Sequence, residues 1–74
     1  MSGYSQKVAR LNKAADIQNL GVRLGRFCVS NDIPVSVVME FFDVSKQTVY
    51  NWFFGTHVPS LEHQKLISTF LGRE

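Results

Sequence analysis

The chain has 74 residues, of which 45% are hydrophobic and 19% charged, and its formal charge is +2. A chain of this length is one domain at most and buries only about 60% of its unfolded surface, which leaves no room for a second lobe or a deep substrate cleft. No uninterrupted apolar run exceeds three residues, so no segment is expected to span a bilayer. The opening MSGYSQKVAR carries no apolar stretch, which argues against a signal peptide. A single cysteine, Cys28, can make no internal disulfide and fits a reducing, cytoplasmic compartment.

Charge is unevenly placed. The first 30 residues carry +4 and the remaining 44 carry −2. Between Ser45 and Ser60 there is one lysine and no acid, a window compatible with an anionic partner or with an ordinary solvated face. Residues 1–11 read as a flexible basic arm ahead of a domain at 12–74; Val8 and Leu11 are spaced for a short helix there, with little else to support one. Lys7, Arg10 and Lys13 can follow a phosphate backbone or enter a minor groove there, although basic N-termini without that role are common. Asn12 is the expected N-cap of a first helix running to about Ser30. Ile17, Leu20, Leu24 and Phe27 fall on one helical stripe. Gly21 and Gly25 each weaken that helix by roughly 1 kcal/mol relative to alanine. Their spacing marks either a face where another backbone comes close or simply a weak surface helix.

Asn31–Pro34 breaks the pattern, because proline is rejected inside a helix and tolerated at its start. A second helix is expected over Val35–Phe42, with Val35, Val38, Met39 and Phe42 on one face. Asp43–Val44–Ser45 interrupts again, and Ser45 can cap a third helix over Lys46–Phe54 whose apolar face is Val49, Trp52 and Phe53. Gly55 ends that helix. After the Thr56–Pro59 loop, Ser60 caps a last helix with Glu62 in its first turn and Leu66, Ile67, Phe70 and Leu71 facing inward. No segment alternates with a period of two. The expected class is all-α: a compact bundle of four to five short helices.

The informative stretch is Ile33–Ser60. Two short helices joined by a three-residue turn make a helix-turn-helix spanning about 34–54. Val38, Met39, Val44, Val49 and Trp52 can share one apolar pocket, which turns Gln47, Tyr50, Asn51 and Phe54 outward. Asn and Gln amides pair bidentately with adenine, and Lys46 can donate to guanine or phosphate. The Thr48 hydroxyl and Tyr50 phenol suit phosphate oxygens.

At V-S-K-Q-T-V-Y-N-W-F (Val44–Phe53), followed by Gly55 and Pro59-Ser60, the sequence resembles the phage repressor and Cro-like helix-turn-helix family, the lambda-repressor-like DNA-binding domains. The resemblance covers about Leu20 to Leu71. It implies a compact domain that binds operator DNA, usually as a homodimer. Carried over position by position, Lys46, Gln47 and Asn51 would read bases. Ser45 and Thr48 would hold the backbone, together with Tyr50, Thr56 and His57. Three positions depart from the family pattern. Val35 replaces a phosphate-binding glutamine. Asp43 stands where glycine is usual, at a residue that prefers positive φ. Met39 replaces a smaller residue, which predicts altered helix spacing.

Other residues have more than one reading. Periodicity assigns Trp52 and Phe53 to the core. Phe54 can touch a thymine methyl, join a dimer interface or tuck under the Gly55 loop. Val37 and Phe41 lie off the core face, and cover by a neighbouring helix is favoured over a partner surface because so short a chain leaves few apolar side chains idle. The last helix, Phe70 included, or Val37 and Phe41 together with Phe54 are the candidates for pairing. Cys28, His57 and His63 match no common metal-ligand spacing, and no nucleophile elbow or orienting acid accompanies them. Neither an enzyme nor a cofactor, small-molecule ligand or membrane partner is expected. The expected function is sequence-specific binding of double-stranded operator DNA by a homodimeric transcriptional repressor or regulator of phage or mobile-element type, at the nucleoid of a bacterial host. A protein-interaction module on the same scaffold, such as an antirepressor or docking subunit, is the alternative.

Overall fold

A computed structural model describes residues 4–72. Five helices follow one another: α1 Gln6–Ala14, α2 Leu20–Ser30, α3 Val35–Phe42, α4 Lys46–Phe54 and α5 Leu61–Leu71. No strand occurs among the described residues. The protein is a small all-α bundle, and no helix in the described residues is long and apolar enough to cross a membrane.

Local chemistry explains where the helices begin. The hydroxyls of Ser5, Ser45 and Ser60 accept from the amides of Val8, Thr48 and His63, and the Asn19 side chain accepts from Gly21. Each cap satisfies an amide that would otherwise lack a helical partner. Pro34 precedes α3 without a side-chain cap, its φ of −62° already suited to the helical turn that follows. The sequence boundaries of α3 and α4 agree with the observed ones residue for residue.

The N-terminal third differs from expectation. Residues 6–14 form a helix rather than an arm, while residues 1–3 of the predicted arm lie outside the described residues. Asn12 does not cap a long first helix. It sits inside α1, buried to 1% exposure, and α2 begins only at Leu20. Ala15 turns extended and ends α1, so Ile17 falls in the connecting loop and is largely exposed instead of joining the α2 stripe.

Asn12 is a tie. Its Nδ2 donates to the carbonyls of Val22 (3.0 Å) and Phe53 (2.8 Å), and its Oδ1 accepts from Arg26 Nε (3.2 Å). The Phe53 carbonyl belongs to the last turn of α4, where intrahelical donors have run out. Arg26 then reaches the carbonyls of Asn12 and Lys13 at the end of α1 (3.2 and 3.3 Å), a favourable place for a cation. One amide and one guanidinium thus fasten three helices.

The helix α2 packs chiefly on α4 and also against α1 and α5. Leu24 of α2, Val38 of α3, Val49 and Phe53 of α4 and Ile67 of α5 are fully buried in the shared core, each worth about 1.5–3 kcal/mol of burial. The close approach runs through glycine. A Cβ added at Gly21 would lie 2.9 Å from the backbone oxygen and Cβ of Trp52. At Gly25 it would lie 2.6 Å from Asn12 Nδ2 and 2.7 Å from Phe53 Cγ. The close-approach reading of the two glycines is therefore the observed one. Leu66 is the one residue of the predicted α5 inner face that stays exposed; Ile67 and Leu71 are buried and Phe70 half-buried.

Cys28 is fully buried, and desolvation pushes its thiol from 9.0 up to about 12. Burial of the Tyr4 phenol, which donates to the Ile33 carbonyl, raises its pKa as well. A raised folded-state pKa gives stability that is intact below the unfolded value and is lost as pH climbs through the folded value. Denaturation free energy should therefore fall between about pH 9 and 12, and Cys28→Ala should flatten that fall; an equal slope in both proteins would contradict this account. Gly25→Ala should lower stability by about 1–3 kcal/mol through overpacking, even though alanine is the better helix former. Asn12→Ala should cost a similar ~1–3 kcal/mol by orphaning buried carbonyls. Urea titrations followed by circular dichroism measure both.

Candidate nucleic-acid interface

The turn before α4 positions the whole site. Asp43 adopts the left-handed conformation (φ 56°, ψ 51°), and its N–H and that of Val44 both turn back to the Met39 carbonyl. An L-residue pays about 1–2 kcal/mol for that conformation, less for aspartate than for most. Aspartate is one of the few non-glycine residues that enter this region readily. Met39 and Val44 pack half-buried against the core, and Phe42 meets Trp52 edge-to-face at 5.5 Å. The α3–α4 pair therefore closes over its own apolar pocket.

With Val49, Trp52 and Phe53 buried, the rotation of α4 about its axis is fixed. Lys46 and Gln47 stand exposed, while Thr48, Tyr50, Asn51 and Phe54 are half-buried along the outer side. Ser45 serves two partners, accepting from the Thr48 amide and meeting the Thr48 hydroxyl at 3.0 Å. Ser45 therefore contributes chiefly to the start of α4, where the unpaired first-turn amides and the helix dipole favour negative charge.

The two amides are coupled. Gln47 Nε2 donates to Asn51 Oδ1 at 3.2 Å, and Thr56 Oγ1 approaches the same oxygen at 3.2 Å. Asn51 Oδ1 is thus an acceptor for two neighbours, which leaves its Nδ2 as the donor available to an outside group. The Asn51 carbonyl also accepts from the amides of Thr56 and His57 (3.0 and 3.4 Å), so the loop after Gly55 is stitched to the end of α4. Gly55 itself turns at φ 79°. Thr56 and His57 lie exposed beside this seam, 3.5 Å apart at Oγ1 and Nδ1.

Tyr50 and Phe54 stack on each other with ring centroids 5.7 Å apart and planes 12° from parallel. Phe54 therefore lies along the helix against Tyr50, and Tyr50 also meets Phe53 at 6.0 Å. Val37 and Phe41 remain 43% and 46% exposed, which corrects the preference for cover by a neighbouring helix. Phe41 nonetheless leans on Phe42 and Phe70, at 4.9 and 5.0 Å. Lys7, Arg10 and Lys13 are exposed on α1, one to each turn and far in sequence from Gln47 and Asn51. Sequence placed Asn12 as a helix cap and gave no sign of its tie to Arg26. A polar residue followed by a positively charged one at a distance of fourteen gives no periodic signal, and only the folded chain brings them together.

Searches against family models, curated proteins and solved structures return no match to this chain.

At the turn, Asp43→Val should lower stability by about 1–2 kcal/mol because a β-branched residue resists the left-handed region, whereas Asp43→Gly should leave it nearly unchanged. Equal losses in thermal melts of the two variants would remove backbone conformation as the reason aspartate is tolerated here.

Proposed function

We propose that this protein binds double-stranded DNA sequence-specifically, as a homodimeric transcriptional repressor or regulator of phage or mobile-element type acting at an operator in the bacterial cytoplasm. The observation that supports it is the division of α4 into two sides. Val49, Trp52 and Phe53 are sealed against the bundle, while Lys46, Gln47 and the hydrogen-bonded Asn51 line the other side with no acid among them.

In this reading α4 enters the major groove, whose width admits one helix. Gln47 and Asn51 act as a unit. With Asn51 Oδ1 engaged internally, Asn51 supplies donors and Gln47 supplies the acceptor at its Oε1, a complementary pair for the adenine edge. Lys46 takes guanine or a phosphate at the helix start. Thr48, Thr56 and His57 hold the strands on either side, and Lys7, Arg10 and Lys13 on α1 add attraction without base selectivity. Tyr50 contributes its phenol while its ring braces Phe54. The bundle measures 30 × 25 × 23 Å, so two copies side by side match half-sites about one turn, ~34 Å, apart. Occupancy of an operator then excludes other proteins sterically.

Gln47→Ala and Asn51→Ala should each weaken binding to a selected cognate duplex by about 1–3 kcal/mol with little effect on random duplex. Their double variant should lose less than the sum, because the side chains share a bond. Lys46→Ala should reduce the steepness of the salt dependence by about one phosphate contact. Fluorescence anisotropy over a salt series measures all three. Indifference of the wild-type chain to duplex DNA at low salt would instead favour a protein-docking role for the scaffold.

A further inference from the structure

We propose that Phe54, seated on the ring of Tyr50, recognises the 5-methyl group of a pyrimidine in the major groove, which makes it a specificity-determining residue beside Gln47 and Asn51. The inference rests on the DNA-binding reading above and adds to it the kind of base that the end of α4 selects. At about 100° per residue, Gln47, Asn51 and Phe54 fall within ~60° of one another around the α4 axis, opposite Val49, Trp52 and Phe53. Gln47 and Asn51 are amides joined to each other. Phe54 is a half-buried hydrocarbon with no hydrogen-bonding atom in its side chain.

Its position is fixed from the core outward. A Cβ added at Gly25 would lie 2.7 Å from Cγ of the buried Phe53, so that ring has no room to swing towards α2. Tyr50 stands edge-on to Phe53, with centroids 6.0 Å and planes 88° apart. Phe54 stacks on Tyr50 at 5.7 Å and 12°. Three rings therefore run without a break from the core to the outer side of α4. A side chain held in this way has little conformational freedom left to lose on contact.

The chemistry of the groove names the ligand. Base edges there present donors and acceptors, which a phenyl ring cannot satisfy, and one apolar group, the 5-methyl of thymine. 5-Methylcytosine carries the same group at the same place on its ring. Phe54 follows Asn51 by about one helical turn, ~5 Å, against ~3.4 Å between stacked bases. With α4 lying along the groove, the methylated pyrimidine is within about two steps of the base that the amides contact, towards the C-terminal end of the helix. Phe54 makes the contact, and Tyr50 is a positioning residue that holds it there.

A duplex selected from a random pool is the probe, with binding followed by fluorescence anisotropy. Each thymine in turn is replaced by deoxyuridine, which removes the methyl group and leaves the pairing edge intact, and each cytosine by 5-methylcytosine, which adds one. For the wild type, one position should show about a three- to tenfold difference in affinity, the scale of burying one methyl group. A loss at a thymine assigns thymine as the source, and a gain at a cytosine alone assigns the modified base. At that position Phe54→Ala should bind the duplexes with and without the methyl group equally, while Phe54→Leu should keep part of the preference. Tyr50→Phe, which preserves the stack, should keep it in full, and Tyr50→Ala should reduce it. The ratio is internal to each protein, so a general loss of stability or of backbone contacts does not move it. Tight binding by a wild type that ignores the methyl group at every position would overturn the inference and leave the DNA-binding reading intact. So would a Phe54→Ala variant with the full wild-type ratio. Failure to bind any duplex at low salt would overturn both.

Discussion

The closeness of α2 to α4 governs the molecule. At Gly21 and Gly25 the α2 backbone is bare, and Trp52 and Phe53 lie in the space that side chains would have filled. Neither helix could turn about its own axis without losing that fit, because protein interiors are packed too densely to absorb a shift of even one methyl group. The orientation of α4 follows, and with it the set of side chains left outside. Glycine's weakness as a helix former, roughly 1 kcal/mol at each position, is offset by the burial it permits.

Polar chemistry secures what the packing allows. Asn12 binds carbonyls of α2 and α4 from its place in α1, and Arg26 holds the end of α1 in return. Each of these groups would be costly if buried alone. Among the described residues, no buried side-chain nitrogen or oxygen lacks a partner. The short N-terminal helix thereby belongs to the body of the fold, and its basic side chains stand on a rigid support. The loop after Gly55 joins the outer side of α4 to the exposed Val58–Leu61 segment.

The outer side of α4 is less open than a row of free side chains. Asn51 is held by Gln47 and Thr56, and Phe54 lies flat against Tyr50. Such preorganisation reduces the conformational entropy lost on binding. It also makes the amides interdependent, so a reading of single residues at helical spacing underestimates how the site works. For Phe54, spacing alone favoured a dimer interface or a place under the Gly55 loop over contact with a thymine methyl. In the folded chain the nearest ring to Phe54 is that of Tyr50.

By itself the sequence determined the elements whose causes are local. A serine before a helix, a glycine after it, proline at Pro34 and the period of Val49, Trp52 and Phe53 act within one or two turns of chain, so α3, α4 and α5 were legible with their ends. The N-terminal third was not, because Asn12 looks like a cap in sequence and becomes a buried tie only when Phe53, 41 residues away, is brought to it. The tertiary structure alone decided that Asp16–Asn19 is a turn between two helices, that the glycines face Trp52 and Phe53, and that Val37, Phe41, Val58 and Leu61 stay in water. Those outcomes depend on contacts between distant segments, and a periodic pattern records which side of a helix is apolar but not which neighbour arrives to cover it.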